Sequence, residues 1–100
     1  MKLHLACGNR KIPGFVNIDI QQTSATDLVA DITKLPYEKN SIDLIYSCCV
    51  IEHFGKNSNL NFFRKTSWTD ALNHWFDVLK PGGNIYMSTM NFRAICKEYL

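Results

Sequence analysis

The chain has 100 residues, 46% of them apolar and 20% charged, with a formal charge of +2. That is enough for a single domain, residues 1–100, with a real core, and it is not the composition of a disordered segment. Lysine and arginine are scattered, adjacent only at Arg10-Lys11 and Arg64-Lys65, so no basic footprint for nucleic acid is present, and no apolar run is long enough to span a membrane.

Residues 3–6 (LHLA) are short and apolar at nearly every position, the pattern of a central parallel strand covered on both faces. His4 lies inside it and is expected to be a hydrogen-bonded core or strand-edge histidine rather than a metal ligand, since no second ligand sits nearby in sequence. Residues 7–14 lead to a second strand, residues 15–20 (FVNIDI). A parallel crossover normally takes ~10–12 residues or more, usually with a helix. The shorter segment here predicts at most one helical turn near 9–12, stopped by Pro13-Gly14.

Residues 27–31, with Leu28-Val29-Ala30 inside, are expected as a short third strand, between polar connections at 21–26 and 34–41. Residues 41–49 (SIDLIYSCC) are the fourth strand, rich in Ile, Leu and Tyr. A helical turn is expected at 50–54, ended by Gly55. The asparagine-rich stretch 55–65 is read as a solvated loop, with a substrate lid as the other reading.

The clearest helix covers 67–80. Trp68, Leu72, Trp75, Phe76 and Leu79 fall at helical spacing on one face, an apolar stripe expected to be core. Ser67 with Asp70 three residues on is a capping-box pattern, Lys80 suits the negative end of the helix dipole, and Pro81-Gly82-Gly83 is a stop. Residues 84–89 (NIYMST) are the fifth strand, and 91–100 are expected as a further short helix. Strands alternating with helices or loops, and a helix feeding the last strand, predict an α/β domain with a mostly parallel, doubly wound sheet of about five strands. With nothing after the fifth strand, its edge is open, which predicts self-association as a homo-oligomer.

The four cysteines, Cys7, Cys48, Cys49 and Cys96, follow no Cys-x-x-Cys spacing, and the N-terminus has no signal-peptide pattern. Reduced thiols in a cytoplasmic protein are the expectation, with Cys96 a small buried hydrophobe.

In a parallel sheet of this kind the ligand lies outside the carboxyl ends of the strands. The residues expected there are Cys7-Gly8-Asn9, Asp19, Asp31-Ile32, Cys48-Cys49 and Met90-Asn91. A glycine turn lets backbone approach a ligand, and an acid at the tip of the next strand can accept both hydroxyls of a ribose. Asp31 could accept from an exocyclic amine of adenine with Ile32 behind the ring. A helix cap or loop turn is the competing reading for Asp31.

Five short motifs stand in order: Leu5-Ala6-Cys7-Gly8; Asn17-Ile18-Asp19; Asp31-Ile32-Thr33-Lys34-Leu35-Pro36; Glu52-His53; and Leu79-Lys80-Pro81-Gly82-Gly83. In this order and spacing the chain resembles the class I S-adenosylmethionine-dependent methyltransferases, in particular those acting on small molecules. The resemblance implies a Rossmann-like fold, S-adenosylmethionine as cofactor and a small-molecule methyl acceptor. It places the Ala6-Cys7-Gly8 turn under the methionine part of the cofactor. It puts Asp19 on the ribose hydroxyls, Asp31 and Ile32 at the adenine, and Cys48 and Cys49 past the methionine moiety, mostly through backbone. Glu52 and His53 would stand beside the acceptor. His53 is the best general base by type, imidazole having an unperturbed pKa of ~6.5, and Glu52 could orient it or act itself.

Three departures stand out, the first being the curtailed helix between the first two strands. Ala6 occupies a position usually glycine, where freedom in φ is reduced. The family usually adds two strands after the fifth, so the sheet is expected to be truncated there. A module that binds the cofactor or its product without catalysis is the second reading. A nicotinamide-dependent half-domain is disfavoured by the absence of G-x-G-x-x-G and of a catalytic Tyr-Lys pair.

Overall fold

The structure, a computed structural model, describes residues 1–48, 50 and 66–88. The expectations placed on Cys49, Glu52 and His53, on the stretches 51–65 and 89–100, and on Cys96 lie outside the described residues. In chain order the elements are β1 (Lys2–Leu5), β2 (Val16–Asp19), β3 (Leu28–Val29), β4 (Ile42–Cys48), α1 (Trp68–Val78) and β5 (Leu79–Ser88). They form one sheet in the order β3-β2-β1-β4-β5, with every neighbouring pair parallel. The α/β, Rossmann-like arrangement read from the sequence is therefore present. The order reverses at β1, and the crevice between the tips of β1 and β4 is where such a sheet takes its ligand.

Register sorts the two faces. Leu3 and Leu5 pair with Val16 and Ile18 on one side and with Ile45 and Ser47 on the other. This face carries the core, in which Leu3, Leu5, Ile18, Ile42 and Ile45 meet Ala71, Leu72, Trp75 and Val78 of α1 and Ile32 and Leu35 of the segment after β3. The opposite face is polar and aromatic: His4 pairs with Asn17 and with Tyr46, and Tyr46 pairs with Tyr86, giving one row across four strands.

Several local expectations change. No helical turn forms between β1 and β2. Two tight turns replace it, closed by Arg10 N–H to the Cys7 carbonyl (3.0 Å) and Phe15 N–H to the Ile12 carbonyl (3.3 Å). The reason is conformational: Gly8 (φ 56) and Gly14 (φ 84) adopt left-handed backbone that a right-handed helix cannot pass through. Pro13 followed by Gly14 has the signature of a type II turn.

Helix α1 ends at Val78, short of the expected Lys80. Asn40 N–H donates to the Asp77 carbonyl (3.0 Å) and Ser41 N–H to that of Val78 (2.9 Å), so the chain before β4 caps the helix from outside. Lys80 precedes a proline, which disfavours helical backbone there. Residues 79–83 instead belong to β5, as an irregularity in which Ile42 pairs with Leu79 but Leu44 with Asn84. Lys80 is not at a helix end; it pairs with Asp43 (3.0 Å), which the N-terminal ammonium also contacts. Phe76 is 48% exposed, and Ala71 and Val78 fill the core face of α1 in its place.

One side chain of α1 makes this packing pH-sensitive. His74 Nε2 accepts from Leu35 N–H (2.8 Å), tying the helix to the segment after β3. Burial holds this imidazole below its ordinary pKa, against the opposing pull of Asp77 and Asp31. The folded state therefore takes up its proton later than the unfolded chain as pH falls. Its contribution is complete above an unfolded value of ~6.5 and is lost as pH drops through the folded value. Asp27 and Asp43, each held at about 2, Asp27 chiefly by Asn17 and Asp43 chiefly by the N-terminal ammonium, titrate below this window. Thermal melts from pH 8 to 5 are expected to show Tm falling below about 6.5, and His74→Gln, which keeps an acceptor for Leu35, to flatten that slope.

Candidate functional site

The tip of β1 bends sharply. Ala6, directly after the strand, sits at φ 52 in the left-handed region, and Gly8 follows at φ 56. Cys7 N–H still pairs with the Ile18 carbonyl (3.0 Å), so the chain leaves the sheet only after Cys7. Asp19, the last residue of β2, fastens the turn: Oδ2 accepts from Gly8 N–H (2.9 Å) and Oδ1 from Gln21 N–H (3.0 Å). The expected meeting of the glycine turn and the acid of the second strand is thus a direct hydrogen bond. Each carboxylate oxygen keeps a further lone pair for a ligand donor. A Cβ built on Gly8 would meet nothing within 4 Å, so the space beside the turn is open and glycine is required there by φ alone.

Asp31 lies just beyond β3 at the same carboxyl edge. Its Oδ1 accepts from Thr33 N–H (2.9 Å) and Thr33 Oγ1 (2.7 Å), while Oδ2 has no partner among the described residues. One oxygen caps a turn and the other is available. Ile32 turns its side chain into the core, 4% exposed, and its carbonyl accepts from Trp75 Nε1 (2.9 Å). What Ile32 can offer at the edge is backbone position.

Among the described residues, a cavity of about 470 Å³ at the β1–β4 crevice is lined by His4, Ala6, Cys7, Asn9, Arg10 and Cys48. Ala6, Cys7 and Cys48 are residues expected there from the sequence. Gly8 and Asp19 adjoin it through the turn, and Asp31 and Ile32 do not line it. Asn9 was also expected at this edge, without a role of its own, whereas His4 and Arg10 were not assigned to a site by the sequence. Strand periodicity carried the signal for His4, which shares a face with Ala6 two residues on. Burial pushes the Cys7 thiol above its usual pKa, and the charges of Asp19 and Asp27 add to that, so it is a neutral wall of the cavity.

The family described as "Methyltransferase domain" matches residues 5–87, which covers the turn, the acid, the crevice and β5. The chain belongs to this methyltransferase domain family. No curated protein and no solved structure matches it. Methyltransferase domains of this class in general carry S-adenosylmethionine-dependent methyl transfer. The residues present fit that cofactor: open space beside Gly8, an acid at the tip of β2 with spare lone pairs, and a cavity of ligand size. Among the described residues no cluster of metal-ligating side chains is found, and no helix is long and apolar enough to cross a membrane.

The methyltransferase turn is strained at Ala6. A left-handed alanine costs ~1–2 kcal/mol, and a glycine there gives back ~0.4–1 in unfolded-state entropy. Ala6→Gly is therefore expected to stabilise the domain by roughly 0.5–1 kcal/mol in urea melts, the reverse of an ordinary Ala→Gly change. A loss of stability would mean the backbone at Ala6 is not what limits this turn.

Proposed function

We propose that this domain transfers the methyl group of S-adenosylmethionine to a small-molecule acceptor bound in the crevice between β1 and β4. The observation that carries the reading is the Gly8–Asp19 hydrogen bond beside an open, ligand-sized cavity. The absence of a basic stripe in the sequence favours a small acceptor over a nucleic acid. The cofactor supplies an already activated methyl group, so the protein's work is alignment, which can be worth up to ~7–11 kcal/mol in well-oriented cases. In this reading Asp19 accepts from the ribose, the Ala6-Cys7-Gly8 backbone and Cys48 bound the methionine end, and Asp31 Oδ2 accepts from the adenine amine. The pair Glu52-His53 stands beside the acceptor.

A thermal-shift panel of S-adenosylmethionine, S-adenosylhomocysteine and NAD tests it. Ligand at 100 times its dissociation constant should stabilise by ~2.7 kcal/mol. Asp19→Asn, which retains one acceptor oxygen, should keep the fold and lose most of the shift. A response to NAD alone would end the methyltransferase reading. We also propose that β5, which lies at the edge of the sheet among the described residues and has Tyr86 59% exposed, pairs with a second copy of the chain in solution. Light scattering should then show a mass that rises with concentration, and a constant monomer mass would refute the pairing.

A further inference from the structure

The buried imidazole of His4 lines the cavity, and the reading above leaves its chemistry unused. It is 3% exposed, and Nδ1 lies 2.8 Å from Asn17 Oδ1. The Asn17 amide is oriented by its other partners. Its Nδ2 donates to the carbonyls of Ile12 and Phe15 (3.2 Å each) and to Asp27 Oδ2 (2.8 Å), and its Oδ1 also accepts from Ile12 N–H (2.9 Å). Oδ1 is therefore an acceptor, and the hydrogen on the His4 contact must come from Nδ1. In the neutral ring this leaves the lone pair on Nε2. That nitrogen has no partner among the described residues, and the ring it belongs to lines the cavity.

We infer that His4 Nε2 accepts the proton of the methyl acceptor, and that the acceptor is a hydroxyl or amine compound. The inference rests on the methyltransferase reading. As the acceptor's oxygen or nitrogen lone pair forms its bond to the methyl carbon, the carbon–sulfur bond pair returns to sulfur. The acceptor's O–H or N–H proton passes to Nε2 and later leaves to solvent. Asn17 Oδ1 holds Nδ1–H through the transfer and favours the imidazolium that forms, in the way a fixed partner orients other catalytic histidines. Among the described residues, the other polar and titratable groups facing the ring are Tyr46 at 5.4 Å between ring centroids and, around the cavity, Arg10, Asn9, Cys7 and Cys48. Asp27 reaches it only through the Asn17 amide. None of the residues lining the cavity is a carboxylate, so the imidazole is the only ordinary proton acceptor there among the described residues.

The full chain, labelled with 15N-histidine and read by long-range nitrogen–proton correlation at pH 8, is expected to show His4 as the Nδ1–H tautomer with bare Nε2. The opposite tautomer overturns the inference. With S-adenosylhomocysteine present, adding phenol, or aniline as the amine probe, should shift the Nε2 resonance. A shift of equal size from S-adenosylhomocysteine alone would assign the ring to the cofactor and overturn it. So would an Nε2 that ignores both probes. His4→Gln should retain the thermal shift with S-adenosylmethionine while methylation of the responding probe falls by ~10²–10⁴. Unchanged turnover overturns the inference, and if that variant fails to fold, the resonances of the unsubstituted chain decide. Absence of any response to S-adenosylhomocysteine would instead bring down the methyltransferase reading and this inference with it.

Discussion

Asn17→Ala is expected to cost about 3–5 kcal/mol, a large part of the ~5–15 kcal/mol that holds a domain of this size. Asn17 is completely buried, and its side chain makes hydrogen bonds to His4, to the N–H and carbonyl of Ile12, to the Phe15 carbonyl and to Asp27. Each such bond is worth ~0.5–1.5 kcal/mol net, and more where the partner is charged; the buried groups left behind pay their desolvation unrelieved. The backbone N–H of residue 17 still reaches Asp27 in the variant, so the loss reads the side chain alone. Asn17→Asp keeps the shape but turns an anion toward Asp27 and two carbonyls, and should be at least as damaging. Melting should move down by well over 10 °C, at ~4–8 °C per kcal/mol, with faster amide exchange at Ile12. A loss under ~1 kcal/mol would show that the turns between β1 and β2 stand without this amide.

That prediction marks where the sequence stopped being legible. The parallel sheet could be read because each strand announces itself locally: LHLA, FVNIDI and SIDLIYSCC are short apolar runs bounded by turn residues. The start of α1 was equally local, and Ser67 Oγ accepts from Asp70 N–H (3.1 Å) as the pattern required. The connection at 7–14 was not. Its backbone groups are satisfied by Asn17, a residue beyond the segment, where the spacing alone suggested a helical turn. The end of α1 is likewise set by Asn40 and Ser41, nearly forty positions earlier in the chain, so Pro81-Gly82-Gly83 looked like a stop and became part of a strand. At the candidate site, the meeting of the turn with Asp19 was readable because the tips of adjacent parallel strands lie at one edge of the sheet. His4 was readable only as a core residue, since the role proposed for it depends on which nitrogen Asn17 occupies, and that is a contact between strands.

Trp75→Ala is expected to cost ~3–5 kcal/mol, the usual range for removing a buried aromatic ring. Trp75 is fully buried at the centre of the α1 face and donates Nε1–H to the Ile32 carbonyl at 2.9 Å. Its neighbour His74 accepts from Leu35 N–H, so two adjacent side chains of α1 hold the segment 32–35 at both ends. That segment continues from Asp31, whose Oδ2 is the group proposed for the adenine amine. Trp75→Phe separates packing from this grip: most of the ring remains, while the Ile32 carbonyl loses its donor, for a cost of ~1–3 kcal/mol. In Trp75→Phe the amides of Thr33 and Leu35 should exchange faster, and the stabilisation by S-adenosylhomocysteine should shrink by more than that by its non-adenine fragment, homocysteine. If α1 only filled the core, Trp75→Phe would lower Tm and leave the ligand responses in their original proportion.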